Sequence, residues 1–229
     1  MPESLTPQYT ITRSRRRTIA IHVHSGAVDV RAPMRAAQRD IDAFVKQKTP
    51  WILKMLAECR ERDVEVFRVD DGCNINVMDE TLTVRWQSAR RGEVRHDGDQ
   101  LFIRGGGLDN EKARRLFLRW LADQAEEKLL PMAEKCIVEM GLSPRLSGFT
   151  LRNTRTLWGR CSARGNILFN PQILLAPLPV IHYLIVHEAA HLRHMNHSRE
   201  FWLLVASHCP DWQHSRRWLK DHGHRLQVK

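Results

Sequence analysis

The order of elements along these 229 residues predicts an α+β protein. Three features carry that expectation. Short β-forming runs crowd residues 9–31 and 64–104, one long helical pattern fills 109–140, and further capped helices follow Pro179. The run Gly105-Gly106-Gly107 reads as a flexible joint between a smaller mixed α/β lobe over 1–107 and a larger domain over 108–229.

In the first lobe, residues 9–13, 17–24 and 27–31 read as strands, with Ser25-Gly26 as the turn of a hairpin that ends at Pro33. Residues 36–47 follow as a helix with Ile41, Phe44 and Val45 on its apolar stripe. Thr49-Pro50 makes a good N-cap and first-turn pair for a second helix to about Arg60. Strands are expected at 64–69, 73–77, 81–86 and 93–104, the last folding back at Asp97-Gly98. Asp109 can cap a helix running to about Met140, with Leu116, Trp120, Leu129, Ala133 and Ile137 inward, Pro131 as a kink and Gly141 as its C′ residue. Two strands, 148–153 and 164–170, flank a turn at Cys161–Arg164. Pro179 starts a helix ending near Leu192–His194, Ser198 starts another that stops at Pro210, and Asp211 caps a last one to about His222.

Apolar residues at 42% and charged residues at 27% are an ordinary balance for a soluble protein. The 36 Lys and Arg against 26 Asp and Glu give a net charge of +10, which permits nucleic acid, nucleotide or an anionic surface as a partner without requiring one. Cysteines 59, 73, 136, 161 and 209 form no CxxC pair and read as reduced thiols, so a cytoplasmic location is expected. The N-terminal residues lack the apolar core of a signal peptide. The longest apolar stretch, 173–186, is interrupted by Pro177, Pro179 and His182, so no membrane association is expected.

Chemistry concentrates in His187-Glu188-Ala189-Ala190-His191, followed six residues later by His197. On a helix, 187 and 191 leave one face a turn apart, the separation at which two nitrogens meet one tetrahedral zinc at ~2.0–2.1 Å. Glu188, beside the first ligand, is placed to act as general base on a water held by the metal. Two imidazoles on an apolar helix are costly to bury without partners, and a metal removes that cost. A third ligand must come from beyond the helix. Six residues advance ~600° on a continuous helix, so His197 can return to the metal only if the chain breaks between 192 and 197. Asn196, tolerant of left-handed backbone, is the expected pivot. His194 and Glu200 are the competing third ligands. Three protein ligands would leave one position open, the mark of a catalytic zinc, one per chain.

Residues 148–223 also resemble the YgjP-like family of bacterial metal-dependent hydrolases, within the SprT-like and M48-like zincin group. The resemblance rests on Arg155, Leu157-Trp158-Gly159-Arg160-Cys161-Ser162, Gly165-Asn166-Ile167, Asn170 and the HExxH run. It continues through Met195-Asn196-His197-Ser198, Phe201-Trp202, Pro210-Asp211 and Trp218-Leu219. The N-terminal hairpin with Phe44 and Trp51-Ile52 extends it. It implies a zincin-like catalytic domain with His187, His191 and His197 as ligands and Glu188 catalytic. The chain departs from the family at Arg160, usually Ser, at Ala189, usually Leu, and at Pro171, usually Trp. Residues Asn74–Glu80 also lack the glycine-bearing turn expected in the family's middle region.

Asn166–Asn170 is expected as an edge strand beside the metal helix, with Ile167, Leu168 and Phe169 holding a substrate backbone by strand addition. Arg155 and Arg160 are candidates to stabilise an oxyanion or hold a phosphate. Trp158, Trp202 and Trp218 read as core anchors, Cys161 as a small buried hydrophobe, and His22 and His24 as surface residues. The leading expectation is a zinc-dependent metallopeptidase acting on a peptide or protein. One alternative is a metal-dependent nucleotide pyrophosphohydrolase, favoured if basic residues focus on the metal cleft. The other is a protease or binding protein recruited to nucleic acid, favoured if Arg15–Arg17, Arg31, Arg35 and Arg39 form one surface.

Overall fold

The computed structural model describes residues 7–24, 27–64 and 67–228, and its elements bear out the α+β class. The expected turn at Ser25-Gly26 lies outside the described residues. The chain divides into two compact units, Met1–Val66 and Phe67–Lys229.

In the first unit, β1 (Thr10–Ser14), β2 (Ala20–His24) and β3 (Ala27–Pro33) form a sheet of order β1-β3-β2. Strand β3 lies parallel to β1 and antiparallel to β2. Helix α1 (Gln38–Val64) packs on β2 and β3. It runs straight through Pro50, where a new helix was expected to begin. The Thr49 hydroxyl donates back to the Val45 carbonyl at 3.0 Å instead of capping. Burial decides the outcome. Ile41, Val45 and Ile52 are fully enclosed with Val28, Val30 and Ala32. Each such side chain contributes about 1.5–3 kcal/mol, against about 3 kcal/mol for an interior proline. Arg31 and Arg39 each face a carboxylate, Asp29 and Asp40.

The second unit begins earlier than the glycine run suggested. Strands β4 (Asn74–Val77), β5 (Glu80–Gln87), β6 (Glu93–Asp97) and β7 (Gln100–Arg104) form a sheet of order β4-β5-β7-β6. Its apolar residues Leu82, Val84, Leu101 and Ile103 share a core with Ala113, Phe117, Trp120 and Leu121 of α2 (Asn110–Gln124). The sheet thus belongs with the helices C-terminal to it, and a boundary at 107 would strip its covering helix. Of the expected strand at 64–69, Val64 ends α1, residues 65 and 66 lie outside the described residues, and Phe67 forms a bridge with Val228. The β4–β5 turn is made without glycine by Met78 and Asp79, both at positive φ. Asp tolerates that conformation, and here its carboxylate accepts from the Leu178 N–H at 3.2 Å.

Asp109 caps α2 as expected, accepting from the Lys112 N–H at 2.7 Å. The Pro131 interruption takes the form of a wide π turn, Ala125–Leu129, before α3 (Leu130–Glu139), so the helix continues without a break. Gly141, at φ +67, ends it, with the Leu142 N–H returning to the Ile137 carbonyl at 3.0 Å.

Strands β8 (Gly148–Leu151), β9 (Gly159–Cys161) and β10 (Asn166–Phe169) form a second sheet of order β8-β10-β9. Strand β10, expected at the edge, is the central one, parallel to β8 and antiparallel to β9. Helix α4 (Leu178–Ala190) contacts α3, β9, α5 (Arg199–His208) and α6 (Trp212–His222) and is buried nearly all round. Asp211 precedes α6 without a side-chain capping bond. Among the described residues, no helix is long and apolar enough to cross a membrane.

Candidate metal centre

Helix α4 ends where the second histidine stands. His191 is its C-cap, and the next three N–H groups fold back onto the carbonyls of Ala189 and Ala190. The chain then reaches Ser198, whose hydroxyl accepts from the Phe201 N–H at 3.4 Å and starts α5. Asn196 makes this reversal without left-handed backbone, since among described non-glycine residues only Met78 and Asp79 have positive φ. The result brings His187, His191 and His197 together, with ligand nitrogens all within 4.8 Å of one another. Neither His194 nor Glu200 belongs to that group.

Two details fit the cluster to a metal. His187 Nε2 and His197 Nε2 are 3.2 Å apart, and two nitrogens on one tetrahedral zinc are separated by about 3.3 Å. The Nδ1 of His191 meets the His194 carbonyl at 3.0 Å. A carbonyl only accepts, so Nδ1 carries the proton and Nε2 is left with its lone pair toward the cluster. His187 Nδ1 faces the Tyr183 hydroxyl at 3.4 Å, a group able to accept from an N–H there. Burial and the neighbouring imidazoles push the His187 pKa down to about 3, so this ring is a neutral donor at ordinary pH. Below the triad lies the fully buried Phe201 ring, within 4.6–5.0 Å of all three imidazole centroids. Trp202 stacks against His197.

Glu188 lies on the side of α4 that meets β9 and is only 5% exposed. Burial raises its pKa to about 8, opposed by a hydrogen bond from the Cys161 N–H. That contact lies on the free edge of β9. Pairing of Asn170 N–H to the Trp158 carbonyl and of Ser162 N–H to the Asn166 carbonyl sets the ladder's alternation. The backbone groups of Gly159 and Cys161 therefore point outward from the sheet. A Cβ at Gly159 would sit 2.7 Å from Glu188 Cγ and Oε1, so only glycine leaves room for the carboxylate there. Gly159→Ala is expected to keep metal affinity while displacing Glu188, lowering turnover by about 10²-fold, an effect of ångström-scale misplacement. Unchanged steady-state rates in that variant would contradict the crowding.

The expected substrate residues divide. Ile167 and Phe169 are fully buried and, with Leu168, lie in the central strand, so their backbone is already paired on both sides. The edge is β9 instead. Arg160 is on that edge strand, but alternation turns its side chain to the face opposite Gly159 and Cys161, away from Glu188. Arg155 is exposed in the loop before β9. Cys161 is buried, and burial lifts its thiol to about 11, which keeps it protonated beside Glu188. Trp158 and Trp218 pack on the core as expected. Motif reading missed Tyr183, four residues before His187, and Arg216 on α6. The Arg216 guanidinium lies 5.0 Å over the Trp202 ring, and its charge reaches His187. Both follow helical i, i+4 spacing, Tyr183 with His187 and Arg216 with Trp212.

A family model described as YgjP-like, metallopeptidase domain, matches residues 17–222. Comparison with curated proteins gives no match, and neither does comparison with solved structures.

Proposed function

This chain belongs to the YgjP-like metallopeptidase domain family, and from that premise we propose that it is a zinc-dependent peptidase with Glu188 as its proton carrier. The observation that carries the proposal is the meeting of three imidazoles with a buried glutamate one residue from the first of them. His187, His191 and His197 would hold the ion. Zinc, redox-inert and suited to imidazole, supplies Lewis acidity toward water and the scissile carbonyl when bound.

The chain's own groups supply the rest. Glu188 takes the proton of the attacking water and returns it to the amine nitrogen as the C–N bond breaks. A carboxyl raised to about 8 suits a group that must both accept and give a proton near neutral pH. The edge of β9 away from β10 offers the Gly159 backbone and the Cys161 carbonyl for an extended substrate to add as a strand, the Cys161 N–H being held by Glu188, which leaves β10 as its support. Tyr183 and the His194 carbonyl hold two of the imidazoles in the orientation that directs Nε2 at the ion.

The metal reading is tested by elemental analysis and thermal melting. The purified protein should carry about one zinc, chelation should lower its melting temperature, and zinc should restore it where magnesium does not. A melting curve indifferent to both chelator and zinc would contradict the reading.

A further inference from the structure

Beside the triad, α6 presents a second, charged feature. Trp212, Gln213, Arg216, Arg217 and Lys220 recur at i, i+1, i+4, i+5 and i+8 on one helix face and line a cleft of about 550 Å³. The cleft joins the metal centre through a single ring. Trp202 stacks on Trp212 at 4.1 Å and on His197 at 5.6 Å, with the Arg216 guanidinium 5.0 Å over it. Among the described residues, Arg31, Arg39, Arg104 and Arg114 have carboxylate partners, whereas Arg216, Arg217 and Lys220 have none. Three unneutralised cations within two turns repel one another, and Arg216 and Lys220 at i, i+4 are an unfavourable pair. An anion relieves that repulsion, and the planar guanidinium fork matches a carboxylate or phosphate.

We propose that this cleft is a substrate subsite that selects peptides carrying an acidic side chain next to the bond presented to the three-histidine centre. The proposal rests on the peptidase reading. Cations at the metal cleft would also suit a phosphate-bearing substrate, and the match to a metallopeptidase domain decides for carboxylate.

The test compares zinc-loaded wild-type protein with Arg216→Gln/Arg217→Gln/Lys220→Gln and with Arg217→Gln alone, all checked for native-like melting. Substrates are pairs of peptides differing only by Glu against Gln at positions flanking the cleaved bond. Wild-type kcat/KM should favour Glu by tenfold or more at low salt, and the ratio should shrink above ~0.1 M salt, where exposed charges are screened. It should fall towards one in the triple variant and part of the way in Arg217→Gln. A wild-type ratio near one, or a preference that survives in the triple variant, overturns the subsite. If no peptide is cleaved, the peptidase reading fails separately, and binding decides the subsite. Tryptophan fluorescence of the Glu188→Gln protein titrated with the acidic peptide should show saturable binding that the triple change weakens at least tenfold. Absence of such binding, or saturable binding of tripolyphosphate alone, overturns the proposal.

Discussion

Glu188→Gln is expected to retain its zinc and its fold while losing peptide turnover by about 10²–10⁴-fold, the usual contribution of a positioned acid–base group. Glutamine keeps the shape and an acceptor oxygen for the Cys161 N–H, so the buried site stays packed. It cannot take a proton from water or give one to the leaving amine, and both transfers are lost together. Zinc content and turnover measured on the same preparation check the result. Wild-type-like turnover would remove Glu188 from the mechanism, and loss of zinc along with activity would make it a ligand instead.

His197→Ala should weaken zinc binding by more than the 10–100-fold typical of losing an outer-shell partner, because it removes a direct donor. His194→Ala should leave affinity nearly intact. The contribution of that residue is its backbone carbonyl, which accepts from His191 Nδ1 and survives the substitution. The two variants thus differ sharply although the histidines are three residues apart. Competition titration with a chelating dye reads the difference directly, and the opposite order would reassign the third ligand.

What was legible in the residues, and what was not, follows from how local each signal is. The pair His187 and His191 needs only helical geometry, so its convergence could be read without any fold. The return of His197 required a chain reversal. The need for a break was deducible from helical rotation, but its conformation was not, and Asn196 completes it without left-handed backbone. Strand β9 is three residues, Gly-Arg-Cys, with no apolar alternation to announce it, and missing it turned the central β10 into an expected edge. Thr49-Pro50 was a sound local signal for a new helix start, overruled by the tertiary burial of Ile52. The glycine run at 105–107 marked a turn into the Asp109 cap rather than a joint between units, because the sheet before it has α2 as its cover. Arg216 and Arg217 belong to no motif, and only the placement of α6 beside Trp202 brings Arg216 to the site.

Hydrolysis of peptide bonds by a three-histidine metal with Glu188 is the proposed activity of this chain. One mass-spectrometric experiment addresses it most directly. A peptide pool of mixed sequence is incubated with zinc-loaded protein, with chelated protein and with zinc-loaded Glu188→Gln, and new peptide termini are counted. New termini should appear with the zinc-loaded wild type, vanish on chelation, return with zinc and be absent or about 10²-fold slower to form with Glu188→Gln. No zinc-dependent termini at all, or equal termini with Glu188→Gln, would contradict it.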